Sequence, residues 1–223
     1  MNRLLVVTAV EAERAAITAG LPDCATSGGL TAVEVAQSGR IEVVVGGVGP
    51  ATAAAATSAA LATARFQLVL SAGIGGGFTP LEPGAVAVAS RIVFADLGAE
   101  TAEGFVPIST LGFGPDCYDV DPKLAIELAD LTGGHLGTIL TVATVTGSSR
   151  RAAQLSERFP DAIAEGMEGA GVAAAAVHHG VAFAEIRAVS NAVGPRERDA
   201  WQVPQALAAL GRALANVANG WAS

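Results

Sequence analysis

The chain has 223 residues, of which 51% are hydrophobic and only 15% charged, so it can bury a substantial core and is not a disordered chain. Its net charge of −8 repels the phosphates of nucleic acids and anionic membrane surfaces, so we expect neither as a partner. The only lysine, Lys123, is followed by Leu124 rather than by Ser or Thr, which excludes a P-loop nucleotide site.

Apolar runs of strand length alternate with helical patterns from end to end. In the first half we predict a strand at 3–9, a helix at 11–20, strands at 31–37 and 41–49 about a turn at Ser38-Gly39, a helix from Pro50 to about Ala64, and strands at 66–73 and 84–96. Residues 97–120, rich in Gly and Pro, are expected to form a long irregular excursion. In the second half we predict a helix at 121–132 with Asp121 as N-cap and Pro122 at its first position, a strand and loop at 135–148, helices at 148–159 and 167–180, a strand at 181–191 and a helix at 203–220.

Two features bear on the compartment. The apolar run in MNRLLVVTAVEAER is shorter than a secretory signal requires, and the uncharged residues 43–64 contain glycines and Pro50, which favour a strand, a turn and a helix over a membrane span. Cys24 and Cys117 lack metal-ligand spacing and are most simply free thiols of a reducing compartment, with a single disulfide left open. We therefore expect a soluble, cytoplasmic protein.

This alternation predicts an α/β fold, a three-layer α/β/α single domain over residues 1–223 with a central mixed sheet. In such folds ligands bind beyond the carboxyl ends of the strands. Polar residues and glycines at strand ends are therefore the candidate site, namely Glu13, Gly75 to Gly77, Thr144 to Ser149, Met167-Glu168 and Ser190-Asn191.

Several common chemistries are missing from the sequence. It contains no GxGxxG dinucleotide motif, no GxSxG nucleophile motif and no HExxH zinc motif. The three histidines, at 135, 178 and 179, have no spacing that makes a metal site, so we expect neither a metal nor a cofactor. Once these chemistries are excluded, the sequence still allows a reaction that uses carboxylate and amide side chains around a glycine-lined cleft.

Five segments, in order and in register over residues 3–217, carry a resemblance to a known family. They are VVTAVEAE, VVVGGVGPATAAAA, LVLSAGIGGGF, FPDAIAEGMEGAGVA and IRAVSNAVG. Together they resemble the nucleosidase branch of the purine nucleoside phosphorylase superfamily, which implies the nucleoside phosphorylase-like fold and a homo-oligomer in which a neighbouring chain reaches the site. Within this branch, SNAVGPRERDAW is similar to the enzymes that hydrolyse futalosine, a nucleoside of the alternative menaquinone pathway with a carboxyphenyl-ketone arm at its 5′ carbon. The implied reaction releases hypoxanthine.

The resemblance assigns a role to two carboxylates. Glu13 matches the acid that orients and deprotonates the attacking water, which must reach an oxocarbenium-like centre on its open face. Without the resemblance, Glu11 and Glu13 would more simply complement the dipole at a helix N-terminus. Glu168 and Met167 match the ribose clamp, in which the carboxylate accepts from the sugar hydroxyls and Met packs on the sugar face. Glu168 could equally be an acid in the first turn of its helix.

Asn191 decides the expected base. Adenine-releasing relatives have an aspartate at the matching position, whereas an amide cannot supply a proton but both donates and accepts hydrogen bonds. This suits a 6-oxopurine, whose N7 and O6 are both acceptors. Ser190 is expected to support the amide or the chain turn, and an ordinary loop or cap Asn is the alternative.

Other residues are expected to form the cleft walls. The glycine run around Ile74, which comprises Gly73, Gly75, Gly76 and Gly77, would let the backbone approach a ligand closely. The family places sugar- and base-pocket walls at the positions of Val48, Val145 and Thr146. Many relatives have Ser where this chain has Ile74, and Phe where it has Val145. The glycine loops VVGGVGPA and SAGIGGGF contain no arginine, so water is favoured over phosphate as the nucleophile.

The loop after Asn191 is expected to hold the 5′ arm. Arg196 and Arg198 could pair with its carboxylate, and Trp201 offers a stacking face for its aryl ring. A solvated charged loop is the alternative. Arg187, inside a strand, is expected to pair with Glu168 or to support the site from behind.

Two other functions remain open at this point. One is a related enzyme, either a methylthioadenosine/S-adenosylhomocysteine-type nucleosidase or a phosphate-dependent purine nucleoside phosphorylase. The other is a non-catalytic nucleoside-binding protein on the same fold, which would bind nucleosides without releasing the base.

Overall fold

The computed structural model describes residues 3–21, 25–28, 34–38 and 41–221. The strands within these ranges are β1 (Leu4–Thr8), β2 (Ala25–Gly28), β3 (Glu34–Ser38), β4 (Ile41–Val45), β5 (Leu68–Gly77), β6 (Val86–Phe94), β7 (Gly98–Thr101), β8 (Gly104–Pro107), β9 (Cys117–Asp119), β10 (His135–Thr141), β11 (Ala162–Gly166) and β12 (Ala182–Ala192). The α-helices there are α1 (Glu11–Thr18), α2 (Pro50–Thr63), α3 (Pro122–Thr132), α4 (Ser149–Arg158), α5 (Gly169–His179) and α6 (Val203–Trp221).

The main sheet is mixed and strongly curved. Its strand order is β11-β10-β6-β12-β5-β1-β4-β3-β2, with β9 paired to β6. β12 runs parallel to β5 and antiparallel to β6. β11 pairs with β10 and also with the last residues of β5, so β5, β12, β6, β10 and β11 close into a ring. The mixed central sheet confirms the predicted fold class.

Helices cover both faces of this sheet. Leu4 and Val6 of β1 join one core cluster with side chains of α1, α3 and α6, whereas Leu5 and Val7 join another with α2 and α5. Successive side chains of a strand point to opposite faces, so β1 is buried on both sides. The three predicted layers follow from this arrangement.

Helix ends agree with the capping signals in the sequence. Asp121 caps α3 by accepting hydrogen bonds from the backbone N–H groups of Lys123 and Leu124, and Pro122 occupies the first helical position. Gly180 ends α5 with φ of 67°, in the left-handed region that favours glycine. These predictions are confirmed.

The structure differs from the prediction in six elements. The interval 97–120 is not wholly irregular, because β7 and β8 form a hairpin and β9 pairs with β6. β2 and β11 were not predicted; β11 has only five residues, and non-local pairing with β10 and β5 stabilises it. Helix α5 begins at Gly169 rather than at 167, which leaves Met167 and Glu168 at the carboxyl end of β11.

Some predictions fall on residues that the structure does not describe. Cys24, residues 31–33 of a predicted strand and Gly39 of its predicted turn lie outside the described ranges. Cys117 is an exposed free thiol. Within the described residues no helix is both long and apolar enough to cross a membrane.

Candidate active site

A cleft of about 440 Å³ opens at the carboxyl ends of β1, β5, β11 and β12. It is lined by Ala9, Val10, Glu13, Val48, Ile74, Gly75, Gly76, Val145, Thr146, Glu165, Gly166, Met167, Glu168, Ser190, Asn191, Val193, Gly194, Pro195, Arg196 and Trp201. The lining contains every residue predicted to have a catalytic or substrate-binding role except Arg198, whereas Gly77, Thr144 and residues 147–149 of the strand-end candidates are not among the lining residues. The cleft therefore joins segments from the two ends of the chain, from Ala9 to Trp201.

Glu13 reaches the cleft from the first turn of α1. Its side chain turns back over the end of β1, where Oε2 accepts hydrogen bonds from the N–H groups of Ala9 (2.8 Å) and Val10 (3.2 Å). Its Oε1 accepts from the N–H of Ile74 at 2.9 Å, which ties it to β5. The residue is 3% exposed, and this burial raises the pKa of its carboxyl against the opposing effect of Arg187. The neighbouring Glu11 is exposed and pairs with Arg14 instead.

Glu168 is held by Arg187 and by one backbone N–H group. Its Oε1 accepts a hydrogen bond from the N–H of Gly49 at 3.1 Å, and its Oε2 lies 3.1 Å from Nη1 of Arg187. The prediction that Arg187 pairs with Glu168 is confirmed. Half-buried Met167 precedes it and lines the cleft.

Arg187 is the centre of a buried charge cluster below the cleft. Its Nε donates to Oε1 of Glu185 at 2.8 Å, and its Nη2 donates to Oγ of Ser71 at 2.9 Å. Burial alone lowers the pKa of this guanidinium, but the facing carboxylates of Glu185, Glu168 and Glu13 raise it above its usual range. Burial raises the pKa of Glu185, whose Oε2 has no hydrogen-bond partner among the described residues. The guanidinium thus binds Glu168 and Glu185 directly and acts on Glu13 through its charge, while backbone N–H groups hold Glu13 in place.

Gly73 makes room for the Arg187 guanidinium and the Glu13 carboxylate to lie close to the same point of β5. A Cβ at this position would lie 2.5 Å from Nη1 of Arg187 and 2.6 Å from Oε1 of Glu13. Any side chain here would therefore displace the carboxylate or the guanidinium. The close approach of the glycine run to a ligand stays a prediction; at Gly73 the missing side chain makes room for the charged side chains of the site.

Asn191 lies at the other end of the cleft, beside Ser190. The Oγ of Ser190 is 3.1 Å from the carbonyl oxygen of Gly75 and 2.7 Å from Oδ1 of Asn191, so its single proton goes to one of these two acceptors. Nδ2 of Asn191 donates to the carbonyl oxygen of Ala192 at 2.9 Å. Ser190 therefore lies within hydrogen-bond distance of both the Asn191 amide and the backbone at Gly75, in line with the expected support of the amide or of the chain.

Glu165 is a cleft residue that the sequence analysis missed. Its Oε1 accepts from the N–H of Thr146 at 2.9 Å, and its Oε2 accepts from Oγ1 of the same residue at 2.5 Å. Burial raises the pKa of Glu165, while the hydrogen bonds from Thr146 oppose the rise. The signal in the sequence was a charged residue in the otherwise apolar segment AIAEG.

The rim of the cleft combines apolar side chains with one arginine. Val48 and Val145 are exposed at this rim. The guanidinium of Arg196 lies 5.0 Å from the ring centroid of Trp201, a cation–π distance. Arg198 is exposed in a short 3-10 helix, Arg198–Ala200, and does not line the cleft. Its predicted contact with the 5′ arm stays a prediction.

The cations at this site are few. Arg196 is the one arginine among the described residues that line the cleft, and it stands at the rim beside Trp201, whereas Arg187 below the cleft binds Glu168, Glu185 and Ser71. Over the described part of the chain no three His, Cys, Asp or Glu side chains are grouped so that they could hold a metal ion.

Comparisons with known proteins identify the family of this chain. The model of the family described as Phosphorylase superfamily matches residues 3–219. A futalosine hydrolase of Streptomyces coelicolor is 49% identical over 96% of this chain and 94% of its own length, and one of Acidothermus cellulolyticus is 42% identical over 97% and 91%.

Solved structures show the same fold. The 5′-methylthioadenosine/S-adenosylhomocysteine nucleosidase of Neisseria meningitidis, in complex with methylthio-immucillin-A, superposes with a TM-score of 0.85 at 21% identity, over 99% of this chain and 100% of that one. From the family match and the near full-length identity to the two curated relatives, the chain belongs to the phosphorylase superfamily and, within it, to the futalosine hydrolase family.

Proposed function

We propose that this chain hydrolyses the N-glycosidic bond of futalosine and releases hypoxanthine. The observation that carries the proposal is a pair of buried, fixed carboxylates in the cleft: backbone N–H groups hold Glu13, and Arg187 together with the Gly49 N–H holds Glu168. The cleft volume of about 440 Å³ falls within the roughly 300–1,000 Å³ range of small-molecule sites. A binding protein without catalysis would not need a buried carboxylate base beside the sugar clamp.

Glu13 acts as the general base in this proposal. Its carboxylate takes a proton from water, whose oxygen bonds to C1′ as the C1′–N9 bond breaks and the electron pair leaves with the purine, which then takes up a proton. Three backbone N–H groups fix the orientation of this carboxylate before substrate binds. Such preorganisation favours a water held on one face of the sugar.

Glu168 and Met167 hold the ribose. A carboxylate that accepts from both sugar hydroxyls pulls electron density toward C1′ as positive charge develops there. Arg187 binds one oxygen of Glu168 and the Gly49 N–H binds the other, so the carboxylate is fixed. Met167 supplies an adaptable apolar surface for the sugar face.

Asn191 binds the purine, supported by Ser190. Its Nδ2 has two protons: one is donated to the carbonyl oxygen of Ala192, and the other can be donated to O6 or N7 of the base. Val48, Ile74, Gly75, Gly76, Val145 and Thr146 form the walls around sugar and base.

Arg196 and Trp201 receive the 5′ arm. The guanidinium pairs with its carboxylate and the indole stacks on its aryl ring, with Arg198 as a second cation near the rim. The existing contact between Arg196 and Trp201 already brings the charge and the aromatic face together.

The proposal includes a homo-oligomer in the cytoplasm. Strongly exposed Phe113, at 80%, in the 97–120 interval supports a covered surface there.

One substrate panel tests the proposed function. Hypoxanthine or adenine release is measured from futalosine, inosine and methylthioadenosine, each with and without phosphate. We expect futalosine to have the highest kcat/KM and phosphate to have no effect. Preference for methylthioadenosine would point to the related nucleosidase, a phosphate requirement to the phosphorylase, and binding without base release from any of the three to a non-catalytic protein.

A further inference from the structure

Glu165 is a buried carboxylate in the cleft wall to which the reaction described above gives no role. It is 6% exposed, lines the cleft, and accepts both the N–H and the hydroxyl proton of Thr146. A carboxylate has about four acceptor sites on its two oxygens, and Thr146 uses two of them. Glu165 can therefore accept a further hydrogen bond from a ligand without losing the ones it has.

Strand register brings Glu165 and Asn191 to the two sides of one glycine. Glu165 of β11 pairs with Gly76 of β5, and Asn191 of β12 pairs with the same Gly76. Neighbouring strands are about 4.8 Å apart, so the two backbones stand roughly 10 Å from each other. Paired residues point to the same face of a sheet, and Gly76 contributes no side chain between them. A Cβ at Gly76 would lie 2.8 Å from Cγ2 of Val193, which also lines the cleft, and 3.6 Å from Nδ2 of Asn191, so the Val193 side chain and the Asn191 amide both border the gap beside Glu165.

The polar pattern of this gap matches only one class of purine. The N–H and the hydroxyl of Thr146 both donate to Glu165, so neither is free to donate to a ligand. The carboxylate oxygens of Glu165 therefore make this side of the gap a hydrogen-bond acceptor. A 6-oxopurine has an N1–H donor next to its O6 acceptor, whereas the N1 of a 6-aminopurine is an acceptor. A carboxylate accepts from the N1–H of the first and repels the N1 lone pair of the second.

We propose that Glu165 is a specificity-determining residue, which accepts a hydrogen bond from N1–H of a 6-oxopurine base while Thr146 holds its carboxylate in position. This inference rests on the proposed function and deepens it, because it divides base recognition between two side chains. Asn191 reads the N7 and O6 acceptors, and Glu165 reads the N1 donor. Burial raises the pKa of Glu165, but the two Thr146 hydrogen bonds favour the ionised form that accepts.

The test measures equilibrium binding of three free bases by calorimetry, namely hypoxanthine, 1-methylhypoxanthine and adenine. The methyl group removes the N1–H donor and leaves O6 and N7 unchanged. Wild type should bind hypoxanthine about 10- to 150-fold more tightly than 1-methylhypoxanthine, the factor expected for one hydrogen bond to a charged group. Equal binding of the two bases by wild type would overturn the proposal, even if no variant folds.

Variants separate hydrogen bonding from bulk and from a purely structural role. Glu165→Ala removes the acceptor and makes room, so hypoxanthine should bind about 10- to 150-fold more weakly while 1-methylhypoxanthine binds no more weakly than before. Glu165→Gln should lower the preference for hypoxanthine over adenine at least about tenfold, because its amide can donate to N1 of adenine. Glu157→Gln, at an exposed position of α4, loses the same charge and should keep the wild-type preferences.

Two outcomes would count against the role of Glu165. If it only holds the Thr146 backbone, both variants would weaken all three bases by the same factor. If futalosine is hydrolysed but Glu165→Ala binds hypoxanthine as wild type does, this inference fails while the proposed function stands. If wild type releases no base from futalosine yet shows the predicted binding pattern, the proposed function fails and the inference stands.

Discussion

Replacing the carboxylate of Glu13 by an amide should abolish most of the turnover while the fold and the cleft remain. Glu13→Gln keeps the size of the side chain but removes the base, and loss of a general base lowers the rate by about 10²–10⁴-fold. The structural cost follows from its hydrogen bonds. Glu13 accepts three backbone N–H groups with two oxygens, whereas the amide has one acceptor oxygen, so at least one N–H loses its partner. This loss should cost no more than about 1–3 kcal/mol in the free energy of unfolding.

The assay separates these two effects. Hypoxanthine release from futalosine gives kcat and KM, and urea unfolding gives the stability of the same preparation. Glu11→Gln is the matched control, because Glu11 lies in the same first turn of α1 but is exposed and outside the cleft lining. The control should keep its rate within about twofold, as expected for a surface substitution. A folded Glu13→Gln variant with more than one tenth of the wild-type kcat would refute the assignment of Glu13 as base.

Four further predictions concern the same site. Because burial raises the pKa of Glu13 and the base must be ionised, kcat/KM should fall with decreasing pH through a value above 4.5, the ordinary value of a glutamate carboxyl; a flat profile down to 4.5 would contradict this. Gly73→Ala should lower kcat about tenfold or more, since its Cβ overlaps Oε1 of Glu13 and overpacking costs about 1–3 kcal/mol; a normal kcat would show that the two charged groups can shift freely. Arg187→Met should lower the free energy of unfolding by about 3–5 kcal/mol in urea titrations, because it leaves buried carboxylates without a cation, and a loss under 1 kcal/mol would count against the charge cluster. Asn191→Asp should shift the kcat/KM ratio of 6-amino to 6-oxopurine nucleosides upward by about tenfold, and an unchanged ratio would remove Asn191 from base recognition.

The alternation of strands and helices was readable because it depends on local patterns. Leu4 to Val7 form an apolar run that a doubly covered strand needs, and Asp121-Pro122 is a local capping signal. The same holds for the resemblance, which rests on short segments in a fixed order. β11 was missed because five residues after a helix carry too little periodic signal, and it is stabilised by pairing with strands far away in the sequence.

The candidate site was predicted best where chemistry and position coincide. Glu13 and Glu168 stand at strand ends, so the rule for α/β sheets identified them as candidates. Glu165 was missed because its charge is visible in the sequence but its position is not. The non-local pairing of β11 with Gly76 brings it to the cleft, and no local pattern reveals that pairing. The charge of Arg198 is plain in the sequence, but its exposure in the short 3-10 helix depends on how the loop folds. The extent of the domain over residues 1–223 stays a prediction.

The measurement that tests the central claim most directly is the incorporation of solvent oxygen at C1′ of the sugar product, in water enriched in heavy oxygen. Wild-type protein is incubated with futalosine in phosphate-free buffer, and the products are analysed by mass spectrometry. The account predicts hypoxanthine in equal amount to a sugar product that carries one solvent oxygen at C1′, with almost no product from Glu13→Gln. Absence of base release, or release that requires phosphate and gives a sugar 1-phosphate, would contradict it.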